Sequence, residues 1–189
     1  MATLITDGFD QGDDEKVVSI LKKWKGGVLS DILFTKLAKI LPQVCVETVI
    51  LRKNNRKIEV LLVSRPDGDP VWPKMIHSPG GQIRAVDFHR KDKKVVNGVF
   101  ERVQKNEIRT NFILEPVFVE NIERTTKRGS EVAIVYFTQI EEDSGLSKEI
   151  IWCDVEKLEN LPNMMKDQIE MIRNVAKFYL ASSNHLPSL

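Results

Sequence analysis

Apolar residues recur at three- and four-residue spacing through residues 1–41, and that spacing predicts two helices. Val17, Val18, Ile20, Leu21 and Trp24 mark the first, with Asp13 or Asp14 as its cap and Gly26-Gly27 as its stop. Leu29, Ile32, Leu33, Leu37, Ile40 and Leu41 mark the second, which Pro42 closes. No chemistry-bearing residues punctuate these stripes. They read as a helical N-terminal extension that packs on a sheet edge or on a second copy of the chain in a homodimer.

Beyond Pro42 the period changes. Residues 44–51 and 58–63 are β-branched and apolar around the polar turn 53–57, which predicts a hairpin. A loop rich in proline and glycine follows and ends in Pro79-Gly80-Gly81. Helical spacing returns over 95–107, and strands are expected at 112–119, 131–140 and 149–153, with a turn at 125–130. An amphipathic helix over 164–181 closes the chain. The order predicts an α+β protein, an α/β/α sandwich with a mixed sheet between helices. Residues 1–42 form the extension and 43–189 one structural unit.

Composition narrows the partners. Of 189 residues, 42% are hydrophobic and 29% charged, enough for a core and too apolar for a disordered tail. The longest apolar run, 132–137, is strand-sized, so no membrane partner is expected. Lys plus Arg is 28 against 27 for Asp plus Glu, a net charge of +1, which argues against a nucleic-acid partner. Cys45 and Cys153 form neither a disulfide framework nor a paired zinc motif, and the N-terminus lacks the basic start of a secretory signal. A reduced, cytoplasmic protein is expected.

Residues 79–108 carry the chemistry. Tandem glycines let the backbone approach a ligand closely. Asp87 and the acidic helix behind it bring carboxylates towards loop carbonyls, a hard-oxygen set suited to magnesium, or manganese in its place, holding a phosphate. At about 100° per residue, Val96, Val99, Phe100 and Val103 share a stripe. Glu107 returns to it, unless the helix ends first, while Glu101 and Lys105 point away. A carboxylate on a buried face needs a partner or a metal.

The strand ending Leu61-Leu62-Val63-Ser64-Arg65, the loop with Trp72, Pro79-Gly80-Gly81, an acid six residues on and a helix with Arg102 and Glu107 resemble the Nudix hydrolases. That family's motif runs glycine, five residues, glutamate, seven residues, then Arg-Glu-apolar-any-Glu-Glu-any-Gly-apolar. Gly81 matches the glycine, Asp87 replaces the first glutamate, and Arg102 and Glu107 match the arginine and the last glutamate. Val103, Asn106 and Arg109 depart from the pattern, and residues 88–101 stand in a spacer that is seven residues long in the family. The helix is most similar to that of GDP-mannose mannosyl hydrolases, although residues 145–152, just before and at Trp152, hold no histidine to serve as that branch's base.

The resemblance implies magnesium-dependent cleavage of a nucleoside diphosphate linked to another group, or a silent module of the same fold binding a nucleotide or a protein. It implies that the Gly81 carbonyl and Glu107 hold the metal and that Arg65 stabilises the departing phosphate. Arg102 would orient the helix carboxylates, with Asp87 behind the metal ligands. Trp72 and His77 are expected to touch a nucleotide-type ligand. Glu120, Glu123 and Glu131 remain equivalent candidates for a further base or ligand, and His89 falls in the basic insertion Arg90-Lys91-Asp92-Lys93-Lys94.

Overall fold

The computed structural model describes residues 11–23, 30–141, 146 and 150–182. The chain divides into two compact units, residues 1–30 and 31–189. In the first, helix α1 spans Gln11–Lys23, so Asp13 and Asp14 fall inside it, and Val17, Val18, Ile20 and Leu21 are exposed. Trp24 and the expected Gly26-Gly27 stop lie outside the described residues.

The second unit opens with helix α2, Asp31–Ile40, and then builds its sheet. Strands β1 (Gln43–Asn54) and β2 (Lys57–Ser64) form the expected hairpin, with Asn55 in the left-handed region at the turn. β3 (Ile76–His77) and β4 (Gly80–Gln82) come from the proline-glycine loop, where no strand is expected from sequence. Helix α3 (Val95–Arg102) runs directly into a π-helical turn, Val103–Ile108. The strand expected at 112–119 lies instead at β5, Val117–Thr125. Residues 112–116 are loop, tied to the sheet by a bridge from Phe112 to Ile140. β6 is Ser130–Thr138, β7 is Ile150–Asp154, and helix α4, Ile169–Ser182, starts later than expected because a short 3-10 turn, Lys166–Gln168, precedes it.

The sheet is mixed. Its order is β3-β2-β1-β6-β5, with β1 and β6 parallel, β4 pairing β1 and β7 pairing β2. Strand alternation divides the core. Val49, Leu51, Val60, Leu62, Val135 and Phe137 face α4, where they meet Ile169, Ile172 and Val175. Val46, Ile50, Leu61 and Val63 face Val99, Phe100, Val103 and Ile108. Each such side chain, fully buried, contributes about 1.5–3 kcal/mol relative to exposure. The α/β/α sandwich expected from sequence is therefore the architecture observed.

One detail of the pairing opens the site. β1 pairs β2 from Leu51 to Asn54, but pairs β4 at Cys45–Glu47. β2 and β4 consequently splay apart beside the middle of β1.

Candidate functional site

Arg65, His77, Gly80, Asn106 and Glu107 line the opening between β2 and β4, a cavity of about 370 Å³. The ladder sets which glycine faces it. Thr48 N–H donates to Pro79 and Ile83 N–H to Val44, so by antiparallel alternation Val46 and Gly81 are the hydrogen-bonded pair between them. Gly80 is a non-bonded partner of Glu47, so its N–H and carbonyl point away from β1, and its N–H donates to Glu107 Oε2 at 3.3 Å. The Gly80 carbonyl, rather than the expected Gly81 carbonyl, therefore sits on the edge beside Glu107. A β-carbon on Gly80 would collide with the Val46 carbonyl, which ties glycine to this position.

Glu107 stands on the inward side as its spacing implies, although the turn that carries it is π-helical. Burial pushes its carboxyl up to about 7; the Gly80 N–H opposes the shift and the neighbouring Glu47 charge adds to it. Arg102 is not its partner. The Arg102 guanidinium grips Asp87 through two hydrogen bonds of 2.7 and 2.9 Å and reaches the Gln82 carbonyl at 2.9 Å. Burial works against the Asp87 charge, yet Arg102 and the Arg84 N–H hold it below the usual carboxylate range. This pair clamps the start of the insertion onto α3. The expected role of Arg102 in orienting the helix carboxylates is replaced by a role in holding the loop. Glu101 is exposed, as expected, and pairs with Arg90 of the insertion at 2.5 Å, while His89 is exposed at its start.

A second, smaller cavity of about 60 Å³ adjoins the first on the α4 side of the sheet; Arg65, His77 and Gly80 line both. Glu47, on β1, is buried. It accepts from Arg124 at 2.6 Å, Gln168 at 3.1 Å and Ser78 at 3.2 Å, and burial raises its carboxyl despite them. Arg124 also pairs with Glu131. Of the three late-strand acids that sequence leaves equivalent, Glu131 is the one brought here. Glu120 is half-buried on β5 and Glu123 is exposed. Cys45, Glu47 and Glu131 place one ligand atom each within 4.8 Å of one another, but both carboxylates are already paired with the Arg124 guanidinium.

Trp72 is buried, with the Arg65 and Arg128 guanidiniums over its ring at 5.1 and 4.6 Å. Phe34 of α2 lies 5.1 Å from the same Arg128 guanidinium. Burial lowers His77 to about 3, with the Arg65 charge adding to it, so the ring is neutral and Nδ1–H donates to the Ser78 carbonyl at 2.6 Å.

No protein-family model and no curated protein sequence matches the chain. Solved structures do. The Nudix domain of Shewanella oneidensis NrtR, complexed with ADP ribose, matches with a TM-score of 0.57 at 14% identity, over 85% of this chain and 97% of that one. A Caenorhabditis elegans Ap4A hydrolase matches with a TM-score of 0.54 at 16% identity, over 74% and 98%. A Nudix-family hydrolase from Clostridium perfringens matches with a TM-score of 0.51 at 16% identity, over 73% and 99%. The fold is the Nudix fold.

Within that Nudix fold the structure gathers Arg65, Trp72, His77, Gly80, Gly81 and Glu107 around two adjoining cavities and sets the Asp87–Arg102 pair to one side. Sequence reasoning missed Glu47, Arg124, Arg128 and Gln168. One signal was present: Glu47 interrupts the apolar run Val44-Cys45-Val46-Glu47-Thr48-Val49-Ile50, where an acid must have a buried partner.

Proposed function

We propose that the protein is a Nudix-type hydrolase that cleaves a nucleoside diphosphate linked to another group, with magnesium, or manganese in its place, as cofactor. The carrying observation is Glu107, a half-buried carboxylate with raised proton affinity and, among the described residues, no cationic side chain paired to it, facing a groove between two splayed strands. The donors around it fit a divalent ion: the Glu107 carboxylate, the Gly80 carbonyl on the same edge and the Asn106 amide are all hard oxygens. Magnesium retains several waters and completes its shell with substrate phosphates, so a site with one carboxylate is sufficient but weak. When bound, the ion supplies charge neutralisation on the phosphates and an acidified water.

The chain's own residues do the rest. Arg65 is held at 2.9 Å by Asp69 through one end of its guanidinium and lines the groove, where its charge would stabilise a departing phosphate. Glu107 takes up the positive charge at the groove, and the Asp87–Arg102 clamp keeps the loop and α3 in place beneath it. Neutral His77 offers hydrogen bonding without charge. The similarity to the GDP-mannose branch extends to the helix alone and carries no substrate to this chain.

A second reading is a Nudix-fold module that binds a nucleotide or a protein partner without cleaving it. Val103 and Asn106, which remove two carboxylates from the helix, favour it, and the ADP-ribose complex of the NrtR domain shows the fold holding such a ligand. A hydrolysis screen with added magnesium over nucleotide sugars, dinucleoside polyphosphates, ADP-ribose and nucleoside triphosphates decides between them. Product release supports the hydrolase; binding without release across the panel supports the module.

A further inference from the structure

Among the described residues, five buried side-chain polar atoms lack a hydrogen-bond partner. Three of them, Arg65 Nε, Arg124 Nη1 and Arg128 Nε, belong to arginines that line the smaller cavity. A buried donor without an acceptor carries the full cost of its lost hydration, and a native fold keeps few of them. Three on the arginines that line one cavity point to a place for an acceptor-rich group. Carboxylates outside the close pairs do not supply it: Arg124 Nη1 is 3.9 Å from Asp167, and Asp69 approaches Arg128 at Nη2, 4.0 Å away, and not at Nε.

We propose that this cavity is a phosphate pocket, set apart from the Glu107 groove, which receives a phosphate that the ligand carries in addition to its diphosphate. The pocket's size suits such a group. About 60 Å³ exceeds the roughly 10–15 Å³ that one water needs and is far too small for a nucleoside. Phosphate presents several acceptor oxygens, which match planar guanidinium forks.

Charge runs the same way. Glu47 and Glu131 share the wall, but both are turned onto Arg124 and Glu47 also accepts from Ser78 and Gln168. Asp69 is committed to Arg65 and to the Val71 and Trp72 N–H groups. The end bounded by Arg65, Trp72 and Arg128 sets two guanidiniums against the one Asp69 carboxylate; burial and then the Arg65 charge lower the proton affinity of Arg128, which Asp69 and Glu131 oppose. Phe34 closes that end from α2. Arg65 lines both cavities, so one ligand can reach from the groove into the pocket.

The extra phosphate on the ligand rests on the nucleotide-hydrolase reading, whereas the pocket itself does not, and the test separates them because it reads binding and not turnover. Calorimetric titration of the full chain with inorganic phosphate, at constant ionic strength in chloride, is expected to saturate. Arg128→Gln is expected to weaken that binding at least tenfold, while the melting temperature of the free variant holds or rises because a buried cation with an unpartnered Nε is gone. A fall in that melting temperature with phosphate affinity unchanged makes Arg128 a structural residue and overturns the proposal, as does phosphate binding no better than chloride. Arg128→Lys, which keeps the charge, is expected to restore part of the affinity. In a second arm, nucleoside diphosphates bearing a 2′- or 3′-phosphate are expected to bind at least tenfold tighter than the same compounds without it, and Arg128→Gln to erase the difference. Equal binding throughout that panel, with inorganic phosphate still bound, overturns the ligand-borne phosphate and leaves a site for the free ion.

Discussion

Gly98 lies directly against the Asp87 carboxylate, so close that a β-carbon at residue 98 would overlap Asp87 Oδ1. Glycine in mid-helix is costly on its own, and here it makes room for the acid that Arg102 holds. Gly98→Ala is expected to destabilise the protein by about 3 kcal/mol, in the range for breaking a buried ion pair. The gain in helix propensity, about 1 kcal/mol, offsets only part of the loss. Thermal melts of Gly98→Ala and Asp87→Asn should show similar losses that do not add in the double variant; full additivity would separate the two residues.

Glu107 gives the metal-free protein a pH dependence of known sign. Its carboxyl rises from an ordinary 4.5 to about 7 on folding, so the native state holds a proton that the unfolded chain releases. Stability from this group is fully present below about 4.5 and is lost as pH rises through about 7, a change of up to about 3 kcal/mol. Chemical denaturation of Glu107→Gln in chelator should show a flatter profile between pH 5 and 8 than wild type. Added magnesium should stabilise wild type chiefly above pH 7, where the carboxylate is ionised.

Turnover, where the screen finds it, is expected to require millimolar rather than micromolar magnesium, since one helix carboxylate contributes to the site. Glu107→Gln should abolish metal-dependent release, and Glu101→Gln, which removes only an exposed pair with Arg90, should leave it within about twofold. Saturation at low micromolar metal would contradict the depleted site.

Much of this was legible in the chain and some was not, for identifiable reasons. The β1–β2 hairpin is read from β-branched runs around a polar turn, because those features are local. Glu107 is read from helical spacing even though a π-helical turn carries it. The β5 strand is misplaced in sequence because the alternation of 112–119 resembles a strand, while the observed one, Val117–Thr125, alternates charged and apolar residues that read as half-solvated. Arg124 and Arg128 carry no local signal of burial, since their partners Glu47 and Trp72 come from distant segments and Glu131 meets Arg124 only once β5 pairs with β6. The exchange of Gly80 for Gly81 depends on strand register, which no composition or spacing encodes.

Arg124 is the counter-charge for two buried carboxylates, so its loss should be severe. Arg124→Met is expected to cost about 3–5 kcal/mol, because Glu47 and Glu131 are left without their cation. Combining it with Glu47→Gln and Glu131→Gln should recover a substantial part of that loss in urea unfolding. No recovery would show that the arginine stem, and not its charge, holds the region.

The hydrogen bond between Glu47 and Gln168 joins residues 121 positions apart, and the parallel pairing of β1 with β6, as at Gln43 and Glu131, also closes a long stretch of chain. During synthesis the acidic side chain of β1 emerges long before the amide that covers it, and closing so long a loop is slow. A ribosome-bound chain halted short of Gln168 therefore lacks one of the three donors to Glu47 and the whole of α4, which leaves one face of the sheet uncovered and open to chaperones and to its neighbours. Completion of the cavity and completion of the fold are one late event, so a protein released from the ribosome gains its cavity and its resistance to proteolysis together.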